Sequence, residues 1–152
     1  MGISVLASER VSLRALREDD TGAIEAWYGE AARTAYEERS LEELLAKAEQ
    51  GDGLFAISRS EGDEPIGVVE YQREDEWLGV SFIALARTYR GWGYGSEAVR
   101  ALESEAEGAW GVRRFRAEVD VRNGLGLYFW LRLGYRPARG GDPDAFVMVR
   151  TS

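Results

Sequence analysis

Three alternate glycines, Gly91, Gly93 and Gly95, stand between a strand-like stretch and a helical one. The apolar run Val80 to Ala86 enters the bend, and Val99, Leu102, Ala106 and Ala109 recur at helical spacing after it. A strand that turns through glycines into a helix start leaves several consecutive main-chain N–H groups unpaired, beside the positive end of a helix dipole. Phosphate is the usual occupant of such a place. Glycine suits it because no Cβ blocks a close approach and positive φ carries no penalty. A tight turn whose glycines serve folding alone would leave the same local pattern.

Two owners of glycine loops do not fit. The P-loop of NTPases closes on Lys-Ser/Thr, and Gly95-Ser96 has no lysine before the serine. The dinucleotide-binding fingerprint spaces its last two glycines three apart and sits in strand–helix–strand order. Here the spacing is two and two, and the entering strand follows another strand, Ile66 to Tyr71.

Around this bend the chain reads as one domain, residues 1–152, without repeat, low-complexity tract or linker. Arg10 to Leu16 alternates apolar and polar residues as a first strand. Glu18-Asp19-Asp20 opens a helix carrying Ile24, Trp27 and Tyr28 at helical spacing. Ser40-x-x-Glu43 is a capping box before Leu41, Leu44, Leu45 and Ala48, and Gly51-Asp52-Gly53 ends that helix. Leu54 to Ser58, Ile66 to Gln72 and the long Glu76 to Ala86 follow as strands, separated by polar turns. After a helix over about Gly95 to Gly108 come a strand over Phe115 to Val121 and a helix over Asn123 to Leu133, with Leu125, Phe129 and Leu133 at its apolar spacing. Gly134 to Arg136 and Ala145 to Arg150 are strands flanking Gly140-Gly141-Asp142-Pro143.

Composition narrows the chemistry. There is no cysteine and no histidine, so a disulfide, a thiolate nucleophile, a thiolate metal site and an imidazole base are all excluded. No metal is expected. Acid–base work falls to Asp, Glu, Tyr, the single lysine Lys47, an α-amino group or water. A net charge of −8 argues against nucleic acid, which needs a basic footprint, and favours a cationic partner such as an amine. No apolar run reaches membrane-spanning length, and Met1 to Arg10 lacks a signal pattern, so a cytoplasmic protein without membrane contact is expected.

The glycine bend also carries a resemblance. Tyr89-Arg90-Gly91-Trp92-Gly93-Tyr94-Gly95 after a hydrophobic strand resembles the Arg/Gln-x-x-Gly-x-Gly/Ala signature of the GNAT superfamily of N-acetyltransferases. Downstream, Glu118-Val-Asp-Val-Arg-Asn123 with Gly126, Phe129 and Gly134-Tyr135 looks like that family's second block, an Asn before a helix ending in Leu-Gly-Phe or Leu-Gly-Tyr. The likeness covers about Pro65 to Pro137. It implies an α/β (α+β) fold: a mixed, mostly antiparallel sheet of about seven strands, helices on both faces, and a splay between parallel strands 4 and 5. The pantetheine arm of acetyl-CoA lies in that slot and pairs with free backbone of strand 4.

Carried over residue by residue, the resemblance implies that Arg90, Gly91, Trp92, Gly93, Tyr94, Gly95 and Ser96 hold the cofactor's pyrophosphate through main-chain N–H groups. Glu97, in the first turn of the helix, is expected to point to solvent. Ile83 and Leu85 face the thioester and pantetheine, where one N–H polarises the acetyl carbonyl and stabilises the oxyanion. Asn123 matches the family's cofactor-contacting Asn and is equally a good helix N-cap. Phe129 and Trp130 fall beside the cofactor arm.

Trp130 departs from the family, which places a tyrosine four residues before Gly134 to protonate the leaving thiolate. An indole N–H is too weak an acid for that role. Tyr128 is turned roughly 200° away on a helix and is a poor substitute unless the helix is irregular; the acid is otherwise Tyr135, Tyr94 or water, or is absent. For the base, Glu118 matches a glutamate that acts through water in ribosomal-protein alanine acetyltransferases. Glu70 and Glu76 are alternatives, and each of the three is otherwise a solvated strand residue. Trp27, Tyr28 and Tyr36 fall in the segment that shapes the acceptor side.

The function expected is acetyl transfer from acetyl-CoA to a primary amine by direct attack, without an acetyl-enzyme, the acceptor being a small-molecule amine or a protein N-terminus. The segment from Ser8 to Asp20 is similar to the start of ribosomal-protein-type members. A homodimer accords with the family. The alternative is a GNAT-like module that binds acyl-CoA with little or no transfer, which Trp130 favours; a phosphate-loop nucleotide binder lacks its lysine.

Overall fold

Apolar residues alternating along the strands and recurring every three or four along the helices assemble this chain into one sheet covered on both faces. A computed structural model describes residues 5–49, 53–138 and 142–152. Its strands are β1 (Val5–Ala7), β2 (Val11–Ala15), β3 (Gly53–Arg59), β4 (Pro65–Glu74), β5 (Trp77–Leu85), β6 (Arg114–Asp120), β7 (Arg136–Pro137) and β8 (Ala145–Thr151). The helices are α1 (Thr21–Thr34), α2 (Leu41–Glu49), α3 (Tyr94–Trp110) and α4 (Gly124–Arg132). The strands order as β1-β2-β3-β4-β5-β6-β8-β7, and only β5 and β6 pair in parallel. That pair needs a crossover, which α3 supplies.

Eight strands stand where about seven were expected. The additional one, β1, pairs Val5 with Arg14 and Ala7 with Ser12. Its three residues are too short for a period to announce them. The expected fourth and fifth strands are β5 and β6. Glu76 lies in the turn before β5 rather than in it. α3 starts one residue earlier than expected and runs on to Trp110, where Gly111 in the left-handed region closes it. Its buried stripe is Ala98, Val99, Leu102 and Ala106; Ala109 is exposed. On α4 the buried residue is Trp130, with Leu133 just after it, whereas Leu125 is 77% exposed. The expected glycine stops at Gly51 and Gly140-Gly141 lie outside the described residues.

The capping box before α2 forms in both directions: Glu43 N–H donates to Ser40 Oγ at 3.1 Å, and Ser40 N–H to Glu43 Oε1 at 3.2 Å. Among the described residues no helix is long and apolar enough to cross a membrane.

Two cores result. Leu13, Phe55, Val69, Leu78, Val80, Leu102, Phe115 and Met148 pack on the α3–α4 face, and Ile24, Tyr28, Leu44, Val68, Phe82 and Ala84 on the α1–α2 face. Each fully buried Leu, Ile or Phe contributes about 1.5–3 kcal/mol. Along β5, Leu78 and Val80 face one core but Phe82 and Ala84 the other, which simple alternation forbids. The register supplies the cause. Glu70 pairs with Phe82 and Tyr71 with Val80, so Ser81 is an extra, bulged residue that flips every later side chain to the opposite face.

A second consequence follows at the β5–β6 pair. Its ladder runs from Trp77 opposite Arg114 to Val80 opposite Ala117 and stops, although both strands continue. Beyond Val80 the sheet forks.

Candidate active site

The glycine loop arrives at the fork with its amides open. A short 3-10 turn, Arg87–Tyr89, ends β5, and Arg90 N–H closes it on Arg87 O at 3.2 Å. Gly91 and Gly93 both take φ +85°, in the left-handed region that glycine alone adopts freely. The next paired amide is that of Glu97, which donates to Gly93 O at 3.0 Å. Between them, the N–H groups of Gly91, Trp92, Gly93, Tyr94, Gly95 and Ser96 have no acceptor among the described residues. Six consecutive unpaired amides at the start of a 17-residue helix make a cradle for an anion. Arg90 does not lend its amide to it, contrary to expectation, and its guanidinium is held by Glu30 of α1.

The loop is braced from the far end of the sequence. Glu97 does not point to solvent as expected. It accepts from Ser8 Oγ at 2.8 Å, from Arg10 N–H at 2.6 Å and from Arg10 Nε at 2.8 Å. Arg10 also donates to Trp92 O at 2.9 Å and lies 4.8 Å over the Tyr94 ring. Burial pushes the Glu97 carboxyl up, but the Arg10 and Ser8 hydrogen bonds outweigh it and hold the group below its ordinary range. The carboxylate is therefore neutralised by Arg10 rather than facing the cradle. Trp92 itself is 67% exposed.

A cavity of about 480 Å³ runs through the fork and meets the glycine loop at Arg90 and Gly95. On the α3–α4 side Leu85, Gly95, Asn123, Phe129 and Trp130 line it; on the α1–α2 side Ala31, Tyr36, Glu37 and Ser81 do. A Cβ on Gly95 would sit 3.3 Å from the Phe129 ring and 3.4 Å from Leu85, so glycine keeps α3 close against this wall. Ala86 N–H donates to Ile66 O across the β4–β5 ladder. By strand alternation the N–H groups of Ile83 and Leu85 then face the other way, into the gap that β6 has left. Asn123 caps α4, its Oδ1 accepting from Gly126 N–H at 2.9 Å, and lines the cavity as well.

The three candidate bases part company. Phe115, Ala117 and Val119 of β6 face the α3–α4 core, so Glu118 projects to the opposite face, where it is exposed, lines the cavity and has no ion-pair partner among the described residues. Glu70 is 2% exposed and does not reach the cavity. Arg39 grips it bidentately at 2.8 and 3.0 Å and Ser81 donates to it at 2.6 Å. Burial raises the Glu70 pKa, and these donors outweigh burial and leave it lowered. A carboxylate so held is a fixed charge, not a proton acceptor at neutral pH. Glu76 stands at the other end of β5 from the glycine loop, its side chain 75% exposed and 3.8 Å from Arg114.

None of the expected tyrosine acids lies on the cavity. Tyr128 is 59% exposed under Arg132. Tyr135 is buried and donates to Glu103 at 2.5 Å; burial first, and the Glu103 charge beside it, push its phenol far above the usual range. Tyr94 is sandwiched between Arg10 and Tyr89. Trp130, 4% exposed, packs edge-on against Tyr135 and Phe129. Of the aromatics expected on the acceptor side, the half-buried Trp27 donates to Pro65 O and the buried Tyr28 to Arg39 O, while Tyr36 reaches the cavity. Tyr36 has φ 59°, rare for a residue with a side chain, and Arg122 lies 4.5 Å over its ring from the opposite wall.

Ser81 and Glu37 are cavity residues that the sequence did not single out as chemistry. The apolar run around Ser81 hides its bulge, although a lone hydroxyl inside Trp77 to Leu85 was a signal.

The comparisons with known proteins come down on one family. The chain matches the family model of the acetyltransferase (GNAT) family over residues 21–135. No curated protein matches it in sequence. Among solved structures, an acetyltransferase from Agrobacterium tumefaciens superposes with TM-score 0.79 at 21% identity, over 100% of this chain and 96% of that one. The ribosomal-protein-S5-alanine acetyltransferase from Vibrio fischeri gives 0.72 at 18% identity, over 98% and 97%. The PaiA N-acetyltransferase from Thermoplasma acidophilum, in complex with coenzyme A, gives 0.72 at 16%, over 95% and 100%. At such identities the likeness is one of fold. The family model, however, spans everything from α1 to the turn after α4, cradle and fork included, and the chain belongs to the GNAT family of acetyltransferases, whose general reaction is acetyl transfer to an amine.

Proposed function

We propose that this protein transfers an acetyl group from acetyl-CoA to a primary amine by direct attack within a ternary complex. The observation that carries it is the cavity through the β5–β6 fork, which meets the glycine loop and its open amides at Gly95 and is lined by carboxylates as well. Bound acetyl-CoA would supply the activated acyl group. The amides of Gly91 to Ser96 suit its diphosphate, and the free N–H groups of Ile83 and Leu85 suit the amide-bearing arm and the acyl oxygen. Phe129 and Trp130 give the arm an apolar wall, and Asn123 a polar edge.

The amine enters from the α1–α2 face. Glu37, Glu118, Asp120, Asp142 and Asp144 line that part of the cavity, and Arg39 and Arg122 offset only part of their charge. A cationic amine is drawn to such a field and must shed its proton there. Glu118, open to the cavity, receives that proton directly or through water. With no cysteine in the chain, no thiol carries the acetyl group. The acceptor class is a protein α-amine or a small-molecule amine, as the Vibrio fischeri relative's name illustrates for the first.

Isothermal titration with acetyl-CoA beside a thiol-release assay over a panel of amines tests this. Acetyl-CoA should bind in the ~1 μM to 1 mM range common for enzyme substrates, and CoA should be released only with an amine present. Tighter binding of ATP than of CoA would overturn the assignment. Binding without turnover would favour an acyl-CoA-binding module, the reading that Trp130 supports by leaving the slot without a phenol.

A further inference from the structure

The last rung of the β5–β6 ladder is Val80 opposite Ala117, so Ser81 and Glu118 are the first residues on either prong of the fork. Both lie on the cavity. Ser81 is there because of the bulge, which inserts it between Val80 and Phe82 and places it among Glu70, Gln72 and the fork.

Its hydrogen bonds leave a single vacancy. A serine hydroxyl has one hydrogen and two lone-pair sites. The hydrogen goes to Glu70 Oε1 at 2.6 Å, and one lone pair accepts from Gln72 Nε2 at 2.7 Å. Neither Glu70 nor Gln72 lines the cavity, whereas Ser81 does. Arg39 and Lys47, 3.7 Å from Glu70 Oε2, keep Glu70 ionised and hence the Ser81 hydrogen turned away from the cavity. A group that reaches Ser81 Oγ from the cavity thus meets an acceptor only.

A neutral primary amine is the nucleophile that fits two acceptors at once. It has two N–H groups and one lone pair: one hydrogen for Ser81 Oγ, one for the Glu118 carboxylate, the lone pair for attack. An alcohol or a secondary amine has one hydrogen and can satisfy only one of the two. We propose, resting on the acetyl-transfer reading above, that Ser81 is the residue that positions the acceptor amine and selects primary amines at the fork, opposite Glu118. In the step it serves, the N–C bond forms, the thioester C–S bond breaks with its electron pair passing to sulfur, and nitrogen's proton goes to Glu118.

The experiment is steady-state kinetics of wild type, Ser81→Ala, Ser81→Cys and Ser81→Thr at saturating acetyl-CoA. The probes are tyramine, spermidine, an alanyl peptide and the N-methyl forms of tyramine and the peptide, with acetyl-CoA affinity measured separately by calorimetry. Losing one such hydrogen bond should raise the Michaelis constant for the primary amine about tenfold. The Ala and Cys variants should show this and a reduced preference for the primary amine over its N-methyl form. Thr, which keeps the oxygen, should restore most of both, and acetyl-CoA affinity should stay at the wild-type value throughout. A wild type that turns over an amine while Ser81→Ala or Ser81→Cys leaves the amine Michaelis constant unmoved overturns the role of Ser81 alone. A wild type that acetylates no amine overturns the transferase reading, and Ser81's role with it. Equal loss of amine and acetyl-CoA affinity would assign Ser81 a structural part only.

Discussion

Replacing Gly93 by valine probes the cradle at its backbone. Gly93 is the N-cap of α3 with φ 85° and ψ 3°, and a side chain there meets strain of about 1–3 kcal/mol. Its Cβ would also come to 3.0 Å from Arg10 Nη2, the guanidinium nitrogen that takes no part in the hydrogen bonds to Glu97 and Trp92. Gly111, the C-cap of the same helix, sits at φ 68° and ψ 20° with nothing near its Cβ, so Gly111→Val meets similar strain at the opposite end. Relaxing Gly93 toward negative φ swings the N–H groups of Gly93 and Tyr94 off their common focus. Each hydrogen bond to a charged group is worth about 1.5–3 kcal/mol, so losing even one weakens diphosphate binding by roughly tenfold or more. Both variants should therefore lose about 1–3 kcal/mol in denaturant melts, and only Gly93→Val should lose acetyl-CoA affinity, by roughly 10- to 100-fold in calorimetry. A folded Gly93→Val protein with wild-type affinity would refute the reasoning, as would equal weakening in Gly111→Val.

Other outcomes follow from the same geometry. Glu118→Gln should lower kcat by roughly 100-fold, the low end of acid–base contributions, with little change in the acetyl-CoA Michaelis constant; unaltered turnover in stopped assays would remove Glu118 as base. Trp130→Tyr places a phenol on the cavity wall and should raise kcat, by less than roughly 100-fold because a thiolate already leaves tolerably; a kcat that falls or stays flat would show that leaving-group protonation does not limit the reaction. Asp20 is buried against Arg14 at 2.7 and 2.8 Å; burial raises its pKa, and Arg14 and the Arg17 amide outweigh burial and lower it from about 3.8. Its stabilisation is therefore complete above that value and lost as pH falls through the lower folded value. Asp20→Asn should cost about 3–5 kcal/mol at pH 7 and flatten the stability profile below pH ~4; a profile parallel to wild type in acid melts would count against the linkage.

What could be read in advance was what the chain encodes locally. The Ser40–Glu43 box spans three residues and forms as written. Gly91 and Gly93 need positive φ, and Asn123 caps α4 from the position an N-cap occupies. The features that escaped join distant segments. Glu97 looked solvated because its partners Ser8 and Arg10 lie 89 and 87 residues away. Glu70 looked like a candidate base until Arg39, 31 residues earlier in the chain, proved to lock it. On α4 the period predicted a buried Leu125, but the short helix hangs its first turn over the cavity instead of the core. The bulge at Ser81 is a mismatch between two strands, and no single strand's pattern contains it.

The central claim is that a diphosphate sits on the open amides between β5 and α3. Amide-resolved NMR during titration with coenzyme A tests it most directly. The account predicts that the N–H signals of Gly91, Trp92, Gly93, Tyr94, Gly95 and Ser96 move furthest, together with those of Ile83 and Leu85. Saturable shifts confined to other surfaces, with these eight amides unmoved, would contradict it.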